Sequence, residues 1–149
     1  MSQRLDYNNA APAGMKALGG LYGYLAQSGL PGQLLDLVYL RASQINGCAF
    51  CIDMHSRDLL KSGLPVEKLV LVPVWHEAKP LFSDKEQAAL RWAETVTRVA
   101  ETHIPDEEYE AARAQFTEKE LTDVTIAIGL INTYNRIGIG FRATPAAAK

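Results

Sequence analysis

The segment from Val124 to Phe141, VTIAIGLINTYNRIGIGF, is apolar almost all round. A helix without a polar face has to be surrounded by other elements. It follows Thr117-Glu118-Lys119-Glu120, a Thr-x-x-Glu box whose two ends can satisfy each other's free backbone N–H groups. The rest of the chain must therefore supply a shell for a buried central helix, and its own patterns are helical too. Period-two alternation is never sustained, and the Asn46-Gly47 step lies between helical patterns rather than β-branched runs.

Helices are expected over residues 12–28, opened by Pro12 and closed at Ser28-Gly29, and again after Pro31 through Leu34, Leu35, Leu37, Val38, Leu40 and Ile45. The Asn46-Gly47 step breaks this second helix. A third runs from about Gly47 to Ser62 and ends at Gly63, with Pro65 beyond; Asn46 is its expected N-cap. Ser83, three residues before Glu86, marks another capping box ahead of the stripe Ala89, Leu90, Ala93 and Val96. A short acidic helix follows around PDEEYEAARAQF, and the tail ATPAAAK is expected to fray. The expected fold class is all-α: a compact bundle of about six to seven helices, one domain over residues 1–149.

Composition excludes several roles. A chain of 149 residues can bury a sizeable core, and 48% hydrophobic with 21% charged residues is an ordinary globular balance. The formal net charge is −2 with signs interspersed, so neither a nucleic-acid surface nor an anionic-lipid patch is expected. The opening MSQRLDYNNAAPAG lacks the apolar core of a secretory signal, and the most continuous apolar run, Leu69 to Trp75, is interrupted by Pro73. A membrane helix needs about 20 residues. The expectation is a soluble, cytoplasmic protein, where a close cysteine pair is catalytic or metal-binding more often than structural.

Residues 43–55 read SQINGCAFCIDMH and hold the only two cysteines, Cys48 and Cys51, with His55 four residues on. On a helix these three positions, i, i+3 and i+7, share one face. Zinc, a structural disulfide and a redox dithiol all use such groups. A closed zinc site needs four ligands, and His76 and His103 stand apart from the three here. A c-type haem needs histidine directly after the second cysteine, where this chain has Ile52. A structural bridge across so small a loop gains little.

The redox dithiol fits best. A helix N-terminus favours the thiolate, His55 can move a proton, and a second thiol can resolve an oxidised sulfur. Two buried thiols beside a hydrogen-bonded core histidine form the purely structural alternative. The helix terminus favours Cys48 as the more acidic thiol, whereas His55 favours Cys51; Cys51 is preferred because a base at i+4 also serves O–O cleavage. If the helices around Asn46-Gly47 form an antiparallel hairpin, His55 falls opposite residues near 38. Asp36 lies within a turn of that place. It either orients His55 or simply suits the first turn of its helix.

The stretch LRASQINGCAFCIDMHSRDLLKSG resembles the core of the alkylhydroperoxidase D-like branch of the carboxymuconolactone decarboxylase family. The similarity is strongest from about Leu34 to Gly63 and includes Arg41, Ser43, Gln44, Asn46, Gly47, both cysteines and His55. Weaker echoes lie in SDKEQAALRWAETVT and in INTYNRIGIGFR. The resemblance implies an all-helical, oligomeric peroxidase that reduces hydroperoxides through its cysteine pair. It implies that Cys51 attacks the peroxide, that Cys48 resolves the sulfenic acid, and that His55 and Asp36 form a proton relay. The family's relay carboxylate is usually glutamate, twelve residues before the first cysteine; Asp36 stands there. Some members carry a histidine between the cysteines, where this chain has Phe50.

No flavin or nicotinamide signature is present, so no cofactor is expected. The resemblance implies an external reductant, a thioredoxin-like or lipoylated protein, and a homo-oligomer, trimer or hexamer. Lactone decarboxylation and a non-catalytic redox sensor or scaffold are the alternative readings. His76-Glu77 and the Tyr22/Tyr24 pair read as packing or surface, and GGLYG lacks the preceding strand of a phosphate loop. Asn132 and Asn135, on the apolar last helix, have to find hydrogen-bond partners if buried.

Overall fold

The computed structural model describes residues 1–149, and every regular element in it is helical. In chain order these are α1 (Tyr7–Ala10), α2 (Pro12–Ala26), α3 (Gly32–Asn46), α4 (Ala49–Lys61), α5 (Val66–Leu71), α6 (Asp84–Thr97), α7 (Val99–Thr102), α8 (Asp106–Arg113) and α9 (Glu118–Gly140). Short 3-10 segments cover Val72–Glu77, Lys79–Leu81 and Ala146–Ala148. The all-α expectation holds, with nine α-helices where six to seven were expected. The additional ones, α1, α5 and α7, have only four to six residues. Helices so short do not persist alone, and periodicity cannot reveal them. For α1, Asp6 caps the helix through the N–H groups of Asn8 and Asn9, and just before it the Arg4 N–H ties the chain to the carbonyl of Phe141.

Where the signal is local, sequence and structure agree closely. Both capping boxes are complete, Ser83 with Glu86 on α6 and Thr117 with Glu120 on α9. Each such cap is worth about 1 kcal/mol. Gly47 ends α3 in the left-handed region at φ 74°, where a side chain would be strained. The expected N-cap is corrected by one turn element. Asn46 is still the last residue of α3, the chain needs Gly47 to reverse, and Cys48 is the extended residue that caps α4, its sulfur accepting from the Cys51 N–H. The Asn46 amide instead donates to the side-chain oxygens of Asn132 and Asn135 on α9.

The helices α3 and α4 form the expected antiparallel hairpin, pinned at its open end by the Gln33 amide donating to the carbonyl and hydroxyl of Ser62. The α3 helix is buried on two sides. Leu34, Leu35, Val38 and Ala42 enter a core with Leu25, Trp92, Ile128 and Ile131, while Leu37 and Leu40 enter a smaller one with Leu59, Val72, Trp75 and Leu90. Burying each such aliphatic side chain contributes about 1.5–3 kcal/mol. The run Leu69–Trp75 thus serves as a lid on the second core, and no helix is long and apolar enough to cross a membrane.

As expected, α9 is central, packing on α2, α3, α4, α6 and α8. It is not buried all round, however: Thr122, Gly129, Thr133, Arg136 and Gly140 form an exposed stripe. Small residues made this stripe read as apolar. Flanking this stripe, the buried Asp123 accepts from the Tyr24 hydroxyl and the Lys119 ammonium, both of which reach the surface. Burial raises its carboxyl, but these two donors outweigh it and hold Asp123 below the usual carboxylate range. The tail does not fray in the expected way: residues 146–148 make a 3-10 turn, and the Ala147 N–H donates to Asp53 on α4.

Candidate functional site

Cys48 and Cys51 are joined as a disulfide with their Cα atoms 5.4 Å apart. The sulfurs lie at the N-terminal end of α4, where the Cys51 N–H reaches the Cys48 sulfur at 3.3 Å. Free N–H groups and the helix dipole favour negative charge there. Both cysteines are almost fully buried, at 1% and 2% exposure. Gly138 of α9 backs them. A Cβ at that position would stand 3.1 Å from the Cys48 sulfur and 3.7 Å from that of Cys51, so an alanine there would crowd the Cys48 sulfur.

One turn beyond Cys51, His55 is 1% exposed, and its Nδ1 is 3.2 Å from Oδ1 of Asp36 on α3. The hairpin brings the two together across nineteen residues of sequence. With Asp36 accepting from Nδ1–H, the lone pair falls on Nε2, the atom then available as a base. The ring also packs at a tilt against Tyr39, with centroids 5.0 Å apart, and Tyr39 in turn stacks on Tyr22 at 5.7 Å. All four residues singled out from sequence, Asp36, Cys48, Cys51 and His55, therefore meet around the start and middle of α4. His76 and His103 do not join them: His76 stands edge-on to Trp75, and His103 ends α7 in a left-handed conformation. Asp58, one turn after His55, completes a group with Asp36 and His55 whose ligand atoms lie within 4.8 Å of one another. That group offers three donors and neither sulfur, short of the four of a closed zinc centre.

A cavity of about 370 Å³ opens beside Cys51 and His55. Cys51 and His55 are in its wall; Cys48 is not, and instead lines a second depression with Gly47, Ala143 and Thr144. Ten of the thirteen lining residues of the first cavity are hydrophobic. Besides Cys51, they come from α1 (Tyr7), α2 (Met15, Tyr22), α3 (Tyr39), α4 (Phe50, Met54) and α9 (Ile131, Tyr134, Ile137). Sequence reasoning missed most of this wall and treated Tyr22 as packing only. The one visible signal was spacing, since Tyr39 lies three residues after Asp36 and so on the same face of α3. Burial raises the hydroxyl pKa of Tyr39 strongly, with Tyr22 and Asp36 adding to it, and also raises those of Tyr22 and Tyr134. These phenols remain hydrogen-bond donors at any ordinary pH.

The helical arrangement around the hairpin is that of a known class. The chain belongs to the carboxymuconolactone decarboxylase family, whose model matches residues 12–95, from α2 into α6, and it is of the alkylhydroperoxidase D-like kind. It is 38% identical to the uncharacterized protein YdfG of Bacillus subtilis over 93% of this chain and 94% of that one. A crystal structure from Agrobacterium tumefaciens, of a protein of unknown function offered as an antioxidant defence protein AhpD, superposes with a TM-score of 0.92 at 43% identity, covering 97% of this chain and 98% of its own. The alkylhydroperoxidase AhpD core protein of Ralstonia eutropha, uncharacterized and peroxidase-related, shares the fold at a TM-score of 0.80 and 19% identity, over 93% of this chain and 73% of its own.

Proposed function

We propose that this chain is a thiol-dependent hydroperoxide reductase of the antioxidant type, acting through Cys51 and Cys48 with His55 and Asp36 as proton relay. The observation that carries the reading is the division of the pair. Cys51 shares a cavity wall with a carboxylate-oriented histidine, while Cys48 is bonded to it from outside that cavity. The Agrobacterium relative's assignment to antioxidant defence supports the same reading.

In this reading His55 takes the Cys51 proton, and the thiolate attacks the terminal oxygen of a hydroperoxide ROOH. The S–O bond forms as the O–O bond breaks; sulfur is oxidised to sulfenic acid, the peroxide is reduced, and the departing alkoxide takes the relayed proton as ROH. Cys48, its thiolate favoured at the helix cap, then attacks the sulfenic sulfur, closing the disulfide and releasing water. An external dithiol restores the pair by exchange. With both sulfurs buried, a slender dithiol on a flexible arm, as in a lipoylated protein, suits the site better than a broad docking face, and a thioredoxin-like donor is the other candidate. A reducing cytoplasm is the matching setting. The exposed Val66, Val70 and Val74 offer an apolar surface suited to self-association, and the trimer or hexamer that the family resemblance implies is distinguished from a monomer by light scattering.

The test is consumption of cumene hydroperoxide by the reduced protein with excess dithiol, followed by mass spectrometry after one equivalent of peroxide. Catalytic consumption and a new Cys48–Cys51 bridge are expected. A lactone decarboxylase or a passive scaffold would show no turnover of peroxide, and that result would overturn the proposal.

A further inference from the structure

The Tyr134 hydroxyl makes no hydrogen bond within the chain, and it is not shut away either. Of the phenol oxygens in the cavity wall, only that of Tyr39 is buried without a partner; the Tyr134 ring is half-buried and its oxygen stays open. Its place is set by α9. Tyr134 lies four residues before Gly138 and so shares its face of the helix, and a Cβ on Gly138 would stand 3.7 Å from the Cys51 sulfur. The Tyr134 phenol is also near enough to those of Tyr22 on α2 and Tyr39 on α3 that charge on it raises both their pKa values. All three line the cavity, so the hydroxyl end of Tyr134 faces across it. Tyr22 has the carboxylates of Asp36 and Asp58 beside it, whereas burial alone raises the Tyr134 hydroxyl. The wall around Tyr134 is apolar, with Phe50, Ile131 and Ile137. An open donor without an internal acceptor, set in such a wall, is the kind of polar group that fixes a ligand's orientation.

We propose that Tyr134 is a substrate-binding hydrogen-bond donor, and that the cavity takes a compact aromatic or branched apolar molecule whose one acceptor oxygen is held from the α9 side by that hydroxyl. The chemistry rests on the thiol-peroxidase reading. There the Tyr134 hydroxyl donates to the oxygen that carries the organic group, while the Cys51 thiolate bonds the terminal oxygen. As the O–O bond breaks, its electron pair stays with the inner oxygen, and the same hydrogen bond strengthens toward the developing alkoxide. The proton that completes the alcohol still comes through His55; Tyr134 stays protonated, in keeping with its raised pKa. Tyr134 and His55 stand on different helices, α9 and α4, so the two oxygens of the peroxide are addressed from separate sides of the cavity.

The deciding experiment uses the protein in its disulfide form, where no redox step intervenes. Binding of 2-phenylpropan-2-ol and of its hydrocarbon isostere tert-butylbenzene is measured by ligand-observed NMR titration for the wild type and Tyr134→Phe. The variant is expected to bind the alcohol about five- to tenfold more weakly, the loss of one hydrogen bond, and to bind the hydrocarbon as well as or better than the wild type. Equal weakening of both ligands, unchanged alcohol affinity, or no binding of the alcohol to the wild type would overturn the proposal. Should Tyr134→Phe not fold, a crystal structure of the wild-type alcohol complex decides the matter: the alcohol oxygen on the Tyr134 hydroxyl supports it, and an oxygen elsewhere refutes it. Absence of peroxide turnover with intact, Tyr134-dependent alcohol binding would reject the peroxidase reading and leave this binding mode standing.

Discussion

Replacing Cys51 by serine is expected to reduce hydroperoxide consumption by about 10³-fold or more, the scale of losing a covalent nucleophile. Cys48→Ser is expected to behave differently. Its first encounter with peroxide should proceed at nearly the wild-type rate and stop there, leaving a Cys51 sulfenic acid that dimedone traps. The physical basis is access and proton supply. The Cys51 sulfur is at the cavity wall beside His55, whereas Cys48 faces the depression near the C-terminal tail. A serine hydroxyl is far too weak an acid to replace either thiol at neutral pH. The opposite pattern, a reactive Cys51→Ser and an inert Cys48→Ser in the first turnover, would reverse the assignment of the two sulfurs.

The second large effect is on stability. Asn135 is fully buried on α9; its amide donates to the Ser43 hydroxyl, and its oxygen accepts from Asn46. Asn132 beside it also accepts from Asn46 and donates to the Ile128 carbonyl. This network ties the last turn of α3, just ahead of the Gly47 reversal, to the central helix. Asn135→Ala leaves an Asn46 N–H without one acceptor and opens a small cavity. The expected cost is about 2–3 kcal/mol, which lowers the thermal midpoint by about 4–12 °C in a chain of this size. Thr133→Ala, on the exposed stripe of the same helix, is expected to stay within about 0.5 kcal/mol. Calorimetry on both variants checks the contrast, and equal effects would mean that the network contributes little.

The two asparagines show how far sequence reading reaches. That they had to be hydrogen-bonded followed from their place on an apolar helix; that their partner was Asn46 did not, because Asn46 offered a closer use as a helix cap. The structure gives that cap to Cys48. The difference matters chemically, since it brings a sulfur rather than an amide to the first free N–H groups of α4. The C-terminal tail was misread for a similar reason. Its composition is that of a frayed end, and its partners, the Gly138 carbonyl for Ala143 and the Asp53 carboxylate for Ala147, lie outside it.

What the sequence determined by itself is whatever is encoded within a few turns of one helix. Capping boxes, the glycine reversal and the i, i+4 phase of Cys51 and His55 depend only on neighbours along the chain, and they appear in the structure as read, whereas Cys48, expected on the same face, is the extended cap outside α4. The pairing of His55 with Asp36 was legible because a short hairpin converts sequence distance into a countable register. The cavity was decided by tertiary structure alone. Its wall draws on α1, α2, α3, α4 and α9, from Tyr7 to Gly138, and no local pattern distinguishes a tyrosine that only packs from one whose ring lines a cavity or whose hydroxyl is buried without a partner. Packing sets that outcome because burial removes water from the hydroxyl, and whether a partner replaces it depends on which distant side chains arrive beside it.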